Sequence, residues 1–303
     1  MGSAQRENIV GELLAVGALA LLCAIIQIVM GDFPLPLFRY PLSLILFVAG
    51  VVMIAILYTR FGKSRVVQSL LSRRATWFSL GLLIAVGLWL GLQREPASTA
   101  WPTVVALLFV LLHLALVTLR GWRNENGVRW RFLLNHLGLW LALAAGFWGA
   151  PDREELRSIV ARDVPTREVF DSEGRISRVE YELQLVDFEV EYYTDGTPSS
   201  FVAQVLVDGR QVAMQVNHPY RRTWNETLYL AGYDTAPQGE QVQYCIVEIV
   251  RDGWRWLALT GIVMMFAGAV LLFFAGPRGN ATMGIKGTPQ ASESAERREE
   301  VER

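Results

Sequence analysis

Six long, nearly uncharged stretches constrain this chain more than any other feature. They cover residues 9–30, 41–58, 75–92, 101–119, 132–150 and 254–275. Each runs for roughly 18–22 residues, enough at 1.5 Å per residue to cross about 30 Å of bilayer hydrocarbon. The 52% hydrophobic content and the mean hydropathy of +0.29 exclude a disordered, collagen-like or disulfide-scaffold chain. The sequence therefore predicts an α-helical polytopic membrane protein with about six spans.

The charges of the connecting loops predict the orientation of these spans. The loops after the second and fourth spans are rich in basic residues, namely Arg60, Lys63, Arg65, Arg73 and Arg74 in the one, and Arg120, Arg123, Arg129 and Arg131 in the other. The loops after the first and third spans carry one arginine each, Arg39 and Arg94. The positive-inside rule places the two basic loops and both termini in the cytoplasm. Residues 151–253 are then extracytoplasmic.

Residues 151–253 differ from the rest of the chain in charge and in pattern. They hold 19 acidic and 10 basic residues, a net charge of about −9. Apolar and polar residues alternate in VEYELQL (179–185) and FEVEY (188–192), and Asp195-Gly196 and Asp208-Gly209 are hairpin-turn dipeptides. We predict about six strands in a small antiparallel sandwich or open barrel. The expected domains are a five-span membrane domain (1–150), this β domain (151–253), a last span (254–276) and a disordered cytoplasmic tail (277–303).

Two of the three histidines fall inside apolar spans, where ionisable groups face a protein interior, a partner or a cavity. His113 precedes Arg120 by seven residues and His136 follows Arg131 by five, so both are expected roughly 7–10 Å inside the cytoplasmic boundary. They lie on consecutive antiparallel spans, which allows them to be neighbours. A neutral imidazole at this depth is a good axial ligand for haem iron. The alternative for each is a structural hydrogen bond to a neighbouring helix.

His218 lies in the segment VNHPYRR (216–222), where Asn217 and Pro219 indicate a turn. One interpretation is a ligand or propionate-binding site in which Arg221 and Arg222 clamp carboxylates. The other, which we favour, is a surface turn whose side chains brace the sheet.

Other chemistries find no support in the sequence. The two cysteines, Cys23 and Cys245, are far apart and form no CxxC motif, which argues against a thiol redox enzyme or a zinc ribbon. No phosphate-binding glycine loop, nucleophile elbow or paired metal-ligand motif is present, so no catalytic residue is predicted. The net charge of −1 gives no drive toward nucleic acid.

Several segments, in their order along the chain, resemble the ResB-like (CcsB) family of System II cytochrome c biogenesis. The resemblance spans roughly residues 8–276 and is carried by residues 11–33, 38–42, FLLNHLGLW (132–140), FEVEYYTDGTP (188–198), 216–219, LYLAGYD (228–234), VRDGW (250–254) and 267–269.

This resemblance implies a function and a location. ResB proteins of the bacterial inner membrane act with a CcsA (ResC) partner to export haem b and attach it to the CxxCH motifs of apocytochrome c. A transmembrane histidine of the ResB half ligates haem; His136 matches that position best, and His113 is second. The tryptophan-rich loop of the partner half is absent, so the resemblance implies the non-catalytic half of a holocytochrome c synthetase. Many ResB chains have a larger outside domain than this one.

Two further hypotheses stay open. In the first, the outside domain is an apocytochrome c chaperone or scaffold, and the membrane part anchors it without binding haem. In the second, the chain is an autonomous transporter; this is the weaker hypothesis, because the second, third and sixth spans lack intramembrane polar residues of the kind a pore needs.

Overall fold

The computed structural model describes residues 3–92, 100–125, 127–194, 198–234 and 241–274, with side chains from Gly17 onward except at positions 192, 198 and 199. The expected tail (277–303), the Asp195-Gly196 turn and Arg94 lie outside the described residues. The described part contains seven α-helices and ten β-strands.

The helices follow the predicted spans closely. They are α1 (Ser3–Met30), α2 (Leu42–Phe61), α3 (Arg65–Leu70), α4 (Arg73–Leu92), α5 (Trp101–Gly121), α6 (Trp130–Gly149) and α7 (Arg255–Phe274). Within the described residues, α2, α4, α5, α6 and α7 are long and apolar enough to cross a membrane, and the apolar stretch Gly17–Met30 ends α1. The prediction of a polytopic helical protein is confirmed. The short helix α3 was not predicted.

Hydrogen bonds show which helix ends lie together. Arg120 near the end of α5 donates from Nη1 to the carbonyl of Leu71, just after α3, at 2.8 Å. The connections α2–α4 and α5–α6 therefore share one side of the molecule, which we call the arginine-rich side. On the other side, Asp152 after α6 accepts a hydrogen bond of 2.6 Å from Ser43 in the first turn of α2. We call this the domain side, because the large sheet begins there.

The helices pack around α5, which contacts α1, α2, α4 and α6. It is the most buried of the five candidate spans in the described part of the chain. On the arginine-rich side a small hairpin, formed by β1 (Arg123–Asn124) and β2 (Gly127–Val128), joins α5 to α6. This hairpin and α3 cover the ends of the bundle on that side.

The domain between α6 and α7 is one antiparallel sheet of eight strands. The strands are β3 (Glu154–Ala161), β4 (Thr166–Phe170), β5 (Ile176–Tyr192), β6 (Pro198–Val207), β7 (Arg210–Gln215), β8 (Tyr220–Arg221), β9 (Glu226–Tyr233) and β10 (Tyr244–Arg251). Their order is β7-β6-β5-β4-β3-β10-β9-β8. The prediction of a β-rich antiparallel domain is confirmed, although the expected number of about six strands is too low.

The difference in strand number has identifiable causes. The two alternating runs at 179–192 form a single strand, β5, whose register shifts between Leu185 and Asp187. The additional strands are β3, β4 and the two-residue β8. The predicted turn at Asp208-Gly209 does connect β6 to β7, with positive φ at both residues (52° and 74°), as a type I′ hairpin turn requires.

The sheet curves until its two edges meet, as in an open barrel and unlike a two-sheet sandwich. Strand β7 at one edge lies against β8 and β9 at the other. Inside, the ring of Tyr233 on β9 contacts Phe188 and Phe201 at centroid distances of 4.9 Å. The core also contains the fully buried side chains Val160, Val169, Tyr181, Leu183, Leu185, Val205, Met214, Leu228 and Ile249.

Candidate functional site

His136 lies near the beginning of α6, in the second turn of the helix. Its Nδ1 is 2.9 Å from the carbonyl oxygen of Phe132, one turn earlier. Because a carbonyl only accepts hydrogen bonds, Nδ1 carries the proton and Nε2 keeps its lone pair. Among the described residues Nε2 has no hydrogen-bond partner. This is the tautomer in which an imidazole ligates a metal through Nε2.

A groove of about 500 Å³ opens beside this imidazole on the arginine-rich side. It lies between the beginning of α6, the β1–β2 hairpin and the end of α7. The lining residues are Asn124, Val128, Arg129, Trp130, Arg131, Phe132, Asn135, His136 and Leu272. The groove thus combines the imidazole of His136 with apolar walls and two guanidinium groups.

Phe132 links the imidazole to one of these arginines. Its ring stacks on that of His136, with centroids 3.9 Å apart and planes inclined by 20°. The guanidinium of Arg129 lies 4.8 Å from the centroid of the same Phe132 ring and donates to the carbonyl of Gly121 at 3.2 Å. The aromatic ring therefore restrains both a candidate ligand and a candidate carboxylate-binding group.

The helix that carries His136 is held tightly against α7 by small residues. A Cβ at Gly138 would lie 2.6 Å from the carbonyl oxygen of Gly261, and a Cβ at Gly268 would lie 2.5 Å from the Asn135 side chain. The Asn135 amide in turn donates to the carbonyl of Arg131 at 2.8 Å. This close contact fixes the position of the first turns of α6, and therefore of the groove.

His113 occupies a different environment. Its side chain is only 4% exposed, and its Nδ1 lies 2.9 Å from the carbonyl oxygen of Leu70 at the end of α3. Together with Arg120, which donates to Leu71, it satisfies two carbonyls that a helix end leaves without intrahelical donors. His113 is not among the residues that line the groove beside His136. The structure therefore gives the two intramembrane histidines separate partners rather than one shared cavity.

His218 lies in the exposed turn between β7 and β8. Its backbone N–H donates to the carbonyl of Gln215 at 3.0 Å, and Asn217 takes a left-handed conformation with a φ of 65°. The neighbouring arginines already have partners in this chain: Arg222 pairs with Glu226 at 3.1 Å, and Arg221 lies over the Trp256 ring. This geometry is that of a turn bracing the sheet.

The buried carboxylate of Glu226 binds two arginines at the base of the sheet. The side chain of Glu226 is 5% exposed and binds Arg222 on one oxygen and Arg251 on the other, the latter at 2.7 Å. The Arg222 guanidinium also lies 3.9 Å from the centroid of the Tyr181 ring. Burial, with the nearby Glu226 charge, raises the pKa of Tyr181 well above its usual range. These groups form a structural network on the domain side, away from His136.

Sequence reasoning identified His136 but not the other walls of its groove. In the sequence, Arg129 and Arg131 stand out only as loop charges that orient the spans. The contribution of Leu272 depends on the packing of α7 against α6 across more than 130 residues, which no local pattern contains. The sequence signal that could have indicated the groove is the presence of arginines close to the second turn of a histidine-bearing span.

Comparison with known proteins shows which family part of this chain resembles. The model of the ResB-like family matches residues 125–246, from the β1–β2 hairpin to β10. Residues 125–246 are therefore similar to the ResB-like family, and we call them the ResB-like segment. The match confirms the resemblance seen in the sequence, over a shorter range than 8–276. The ResB-like segment contains His136 with Arg129 and Arg131, and it excludes His113.

Among the solved structures that match, Cytochrome c Heme Lyase CcmF gives a TM-score of 0.35 and 12% sequence identity. The match covers 66% of this chain and 34% of that chain, so this chain spans about a third of that protein's length. A TM-score this low does not establish a shared fold. No curated protein matches the chain at a significant level.

Proposed function

We propose that this chain is a ResB-type subunit of a cytochrome c assembly complex, and that it binds haem b through His136. The observation that carries the proposal is the position of His136 beside a groove, with Nδ1 held by a backbone carbonyl and Nε2 left without a partner. The ResB-like segment around this residue supports it. The arginine-rich side is then the cytoplasmic side of the bacterial inner membrane, and the sheet lies outside.

The residues of the groove fit such a ligand. A volume of about 500 Å³ lies in the range of about 300–1,000 Å³ typical of cofactor sites. Bound haem supplies an iron that accepts a nitrogen lone pair and two propionates that need cations. His136 would hold the iron through Nε2, while Arg129 and Arg131 would face the propionates. Phe132 and Trp130 would exclude water from the apolar part of the site.

Partners are part of the proposal. The described faces of α1, α2 and α4 expose many large apolar side chains, among them Leu22, Ile25, Ile45, Val52, Ile84 and Trp89. Such faces are available to lipid and to a CcsA (ResC) subunit that completes the synthetase. The net charge of about −9 on residues 151–253 favours encounter with a basic apocytochrome c, mainly through the association rate. In this assembly the chain is the haem-delivering half and carries no catalytic residue of its own.

The test is the haem content and the absorption spectrum of the chain purified with its CcsA-type partner. We expect His136→Ala to remove most of the bound haem and to change the spectrum of what remains. Added imidazole should restore the spectrum, because it replaces the missing nitrogen without restoring any packing. His218→Ala is the matched control, since that residue lies in an exposed turn, and it should leave the spectrum unchanged.

Arg129→Gln and Arg131→Gln separate the two parts of the site. We expect haem to bind more weakly, while the spectrum of the bound fraction stays that of the wild type, because the nitrogen donor is intact. If His136→Ala leaves haem content and spectrum unchanged, His136 is not a ligand. The haem would then be held elsewhere in the complex, which favours the alternative that this chain is an apocytochrome c scaffold without haem of its own.

A further inference from the structure

A second groove, of about 730 Å³, lies on the domain side where α2 and α7 meet the base of the sheet. One end is polar and includes Arg39 and Glu154. The other end is apolar and is formed by Leu44, Phe47 and Leu257, which belong to the first two turns of α2 and α7. The groove therefore crosses from the level of the sheet into the membrane-spanning part of the molecule.

The polar end contains one cation and one anion, which form a long ion pair with each other. Arg39 contacts Glu154 only through Nη1, at 3.4 Å, and its side chain is 53% exposed. A guanidinium has five N–H donors, so most of those of Arg39 remain available. Glu154 is 35% exposed, and its second contact, to Arg251, is also 3.4 Å long. The nearby Asp152 is different, because its carboxylate already accepts three hydrogen bonds.

Aromatic residues mark this level as a membrane–water interface. Tyr40 and Trp224 line the groove and are 72% and 61% exposed. Tyrosine and tryptophan concentrate at the headgroup level of bilayers, because an apolar ring carries a polar tip. The Trp256 indole, at the same junction, donates to the carbonyl of Trp224 at 2.9 Å.

We propose that this groove binds one phospholipid with an ethanolamine headgroup. The phosphate pairs with Arg39, the primary ammonium pairs with Glu154, and an acyl chain lies against Leu44, Phe47 and Leu257. Charge complementarity selects this headgroup. An anionic phosphatidylglycerol would bring its charge next to both Glu154 and Asp152, and a choline headgroup has no N–H to donate to a carboxylate.

The experiment is native mass spectrometry of the full chain in detergent. The chain is incubated with phosphatidylethanolamine, phosphatidylcholine or phosphatidylglycerol of identical acyl chains, and inorganic phosphate serves as a competitor. We expect one retained phosphatidylethanolamine and weaker retention of the other two lipids. Arg39→Gln should weaken retention about tenfold, the effect of losing a charge-assisted hydrogen bond. Leu44→Trp should also weaken it by filling the apolar end.

Arg153→Gln is the matched control. Arg153 is equally exposed, at 55%, and also pairs with a carboxylate, that of Glu155, but it does not line this groove. We expect retention to match the wild type. Leu44 is exposed, so its substitution tests the groove even where an Arg39 variant folds poorly. Four results each overturn the proposal: no retained lipid, preference for phosphatidylglycerol, an equal loss in Arg153→Gln, or displacement of the lipid by inorganic phosphate.

Discussion

The carboxylate of Asp152 accepts a hydrogen bond of 2.7 Å from the indole Nε1 of Trp254, and this bond joins the end of α6 to the beginning of α7. The same carboxylate accepts the backbone N–H of Tyr40 and the hydroxyl of Ser43, both at 2.6 Å. One side chain thus connects three spanning helices at the point where the sheet is attached. The placement of the sheet relative to the bundle depends on this junction.

We expect Asp152→Asn to lower the unfolding midpoint of the chain in detergent. An amide has one accepting oxygen in place of two, so at least one donor is left unpaired at a cost of about 1–3 kcal/mol. Asp163→Asn, in an exposed position of the same domain, removes the same charge and should have little effect. In a double-mutant cycle with Trp254→Phe, the sum of the two single-variant losses in stability should exceed the loss measured for the double variant. Strict additivity would mean that the Asp152–Trp254 bond contributes nothing.

The contact between α6 and α7 gives a sharp packing test. A Cβ at Gly138 would lie 2.6 Å from the Gly261 carbonyl, whereas a Cβ at Gly146, in the same helix, would meet nothing within 4 Å. Gly138→Ala should therefore cost about 1–3 kcal/mol through overpacking. Gly146→Ala should be neutral or stabilise the helix by up to about 1 kcal/mol. Thermal unfolding of the two variants in the same detergent measures this difference. Similar midpoints would contradict the close packing of α6 against α7.

The spans were predictable because their signal is local. A run of apolar residues long enough to cross a bilayer needs no tertiary information, and the helices begin and end within a few residues of the expected bounds from α2 onward. The helix α3 gave no such signal. It has six residues, and its stability comes from Val67 packing with Leu71 against Leu116 of α5. Such a helix exists because of a contact distant in sequence.

The sheet shows the same division between local and distant information. Strand β5 alternates clearly and was predicted, while β3 places the polar Ser158 in the interior, where its hydroxyl donates to the carbonyl of Glu168 at 2.8 Å. Because this inward-facing residue is polar, the alternation of apolar and polar residues does not show which face of β3 points into the core. At the candidate site, His136 was visible as a polar residue in an apolar span, but its groove is made by helix packing and was not.

The position of His113 predicts a structural role that can be measured separately from haem binding. His113→Ala leaves the partly buried carbonyl of Leu70 without its donor, at a cost of about 1–3 kcal/mol, and should lower the unfolding midpoint. His113→Asn keeps an N–H donor and should recover part of that loss. The haem spectrum of the folded fraction should be unchanged in both variants. A spectral change in His113→Asn would instead make His113 a ligand.

The ion pair between Arg162 and Asp187 predicts an acid-side dependence of stability. Arg162 donates from Nη2 to Asp187 Oδ1 at 3.1 Å, and the N–H of Phe188 donates to the same oxygen at 2.9 Å. These two bonds, that from Arg162 first, hold the pKa of Asp187 below its usual value. The unfolded chain therefore takes up this proton at a higher pH than the folded chain does. The contribution is complete above the unfolded pKa of about 3.9 and is lost as the pH falls through the lower folded value.

Asp187→Asn should accordingly be less stable than the wild type at pH 7, and the difference should shrink as the pH is lowered below about 4. The expected effect is small, about 0–1 kcal/mol, because the Asp187 side chain is half exposed and solvent screens the pair. Glu189→Gln removes one negative charge from the same strand without touching Arg162, and it controls for the net charge of the domain. Thermal unfolding between pH 3 and pH 7 measures both variants. A difference between wild type and Asp187→Asn that stays constant over this range would show that the ion pair does not depend on ionisation of Asp187.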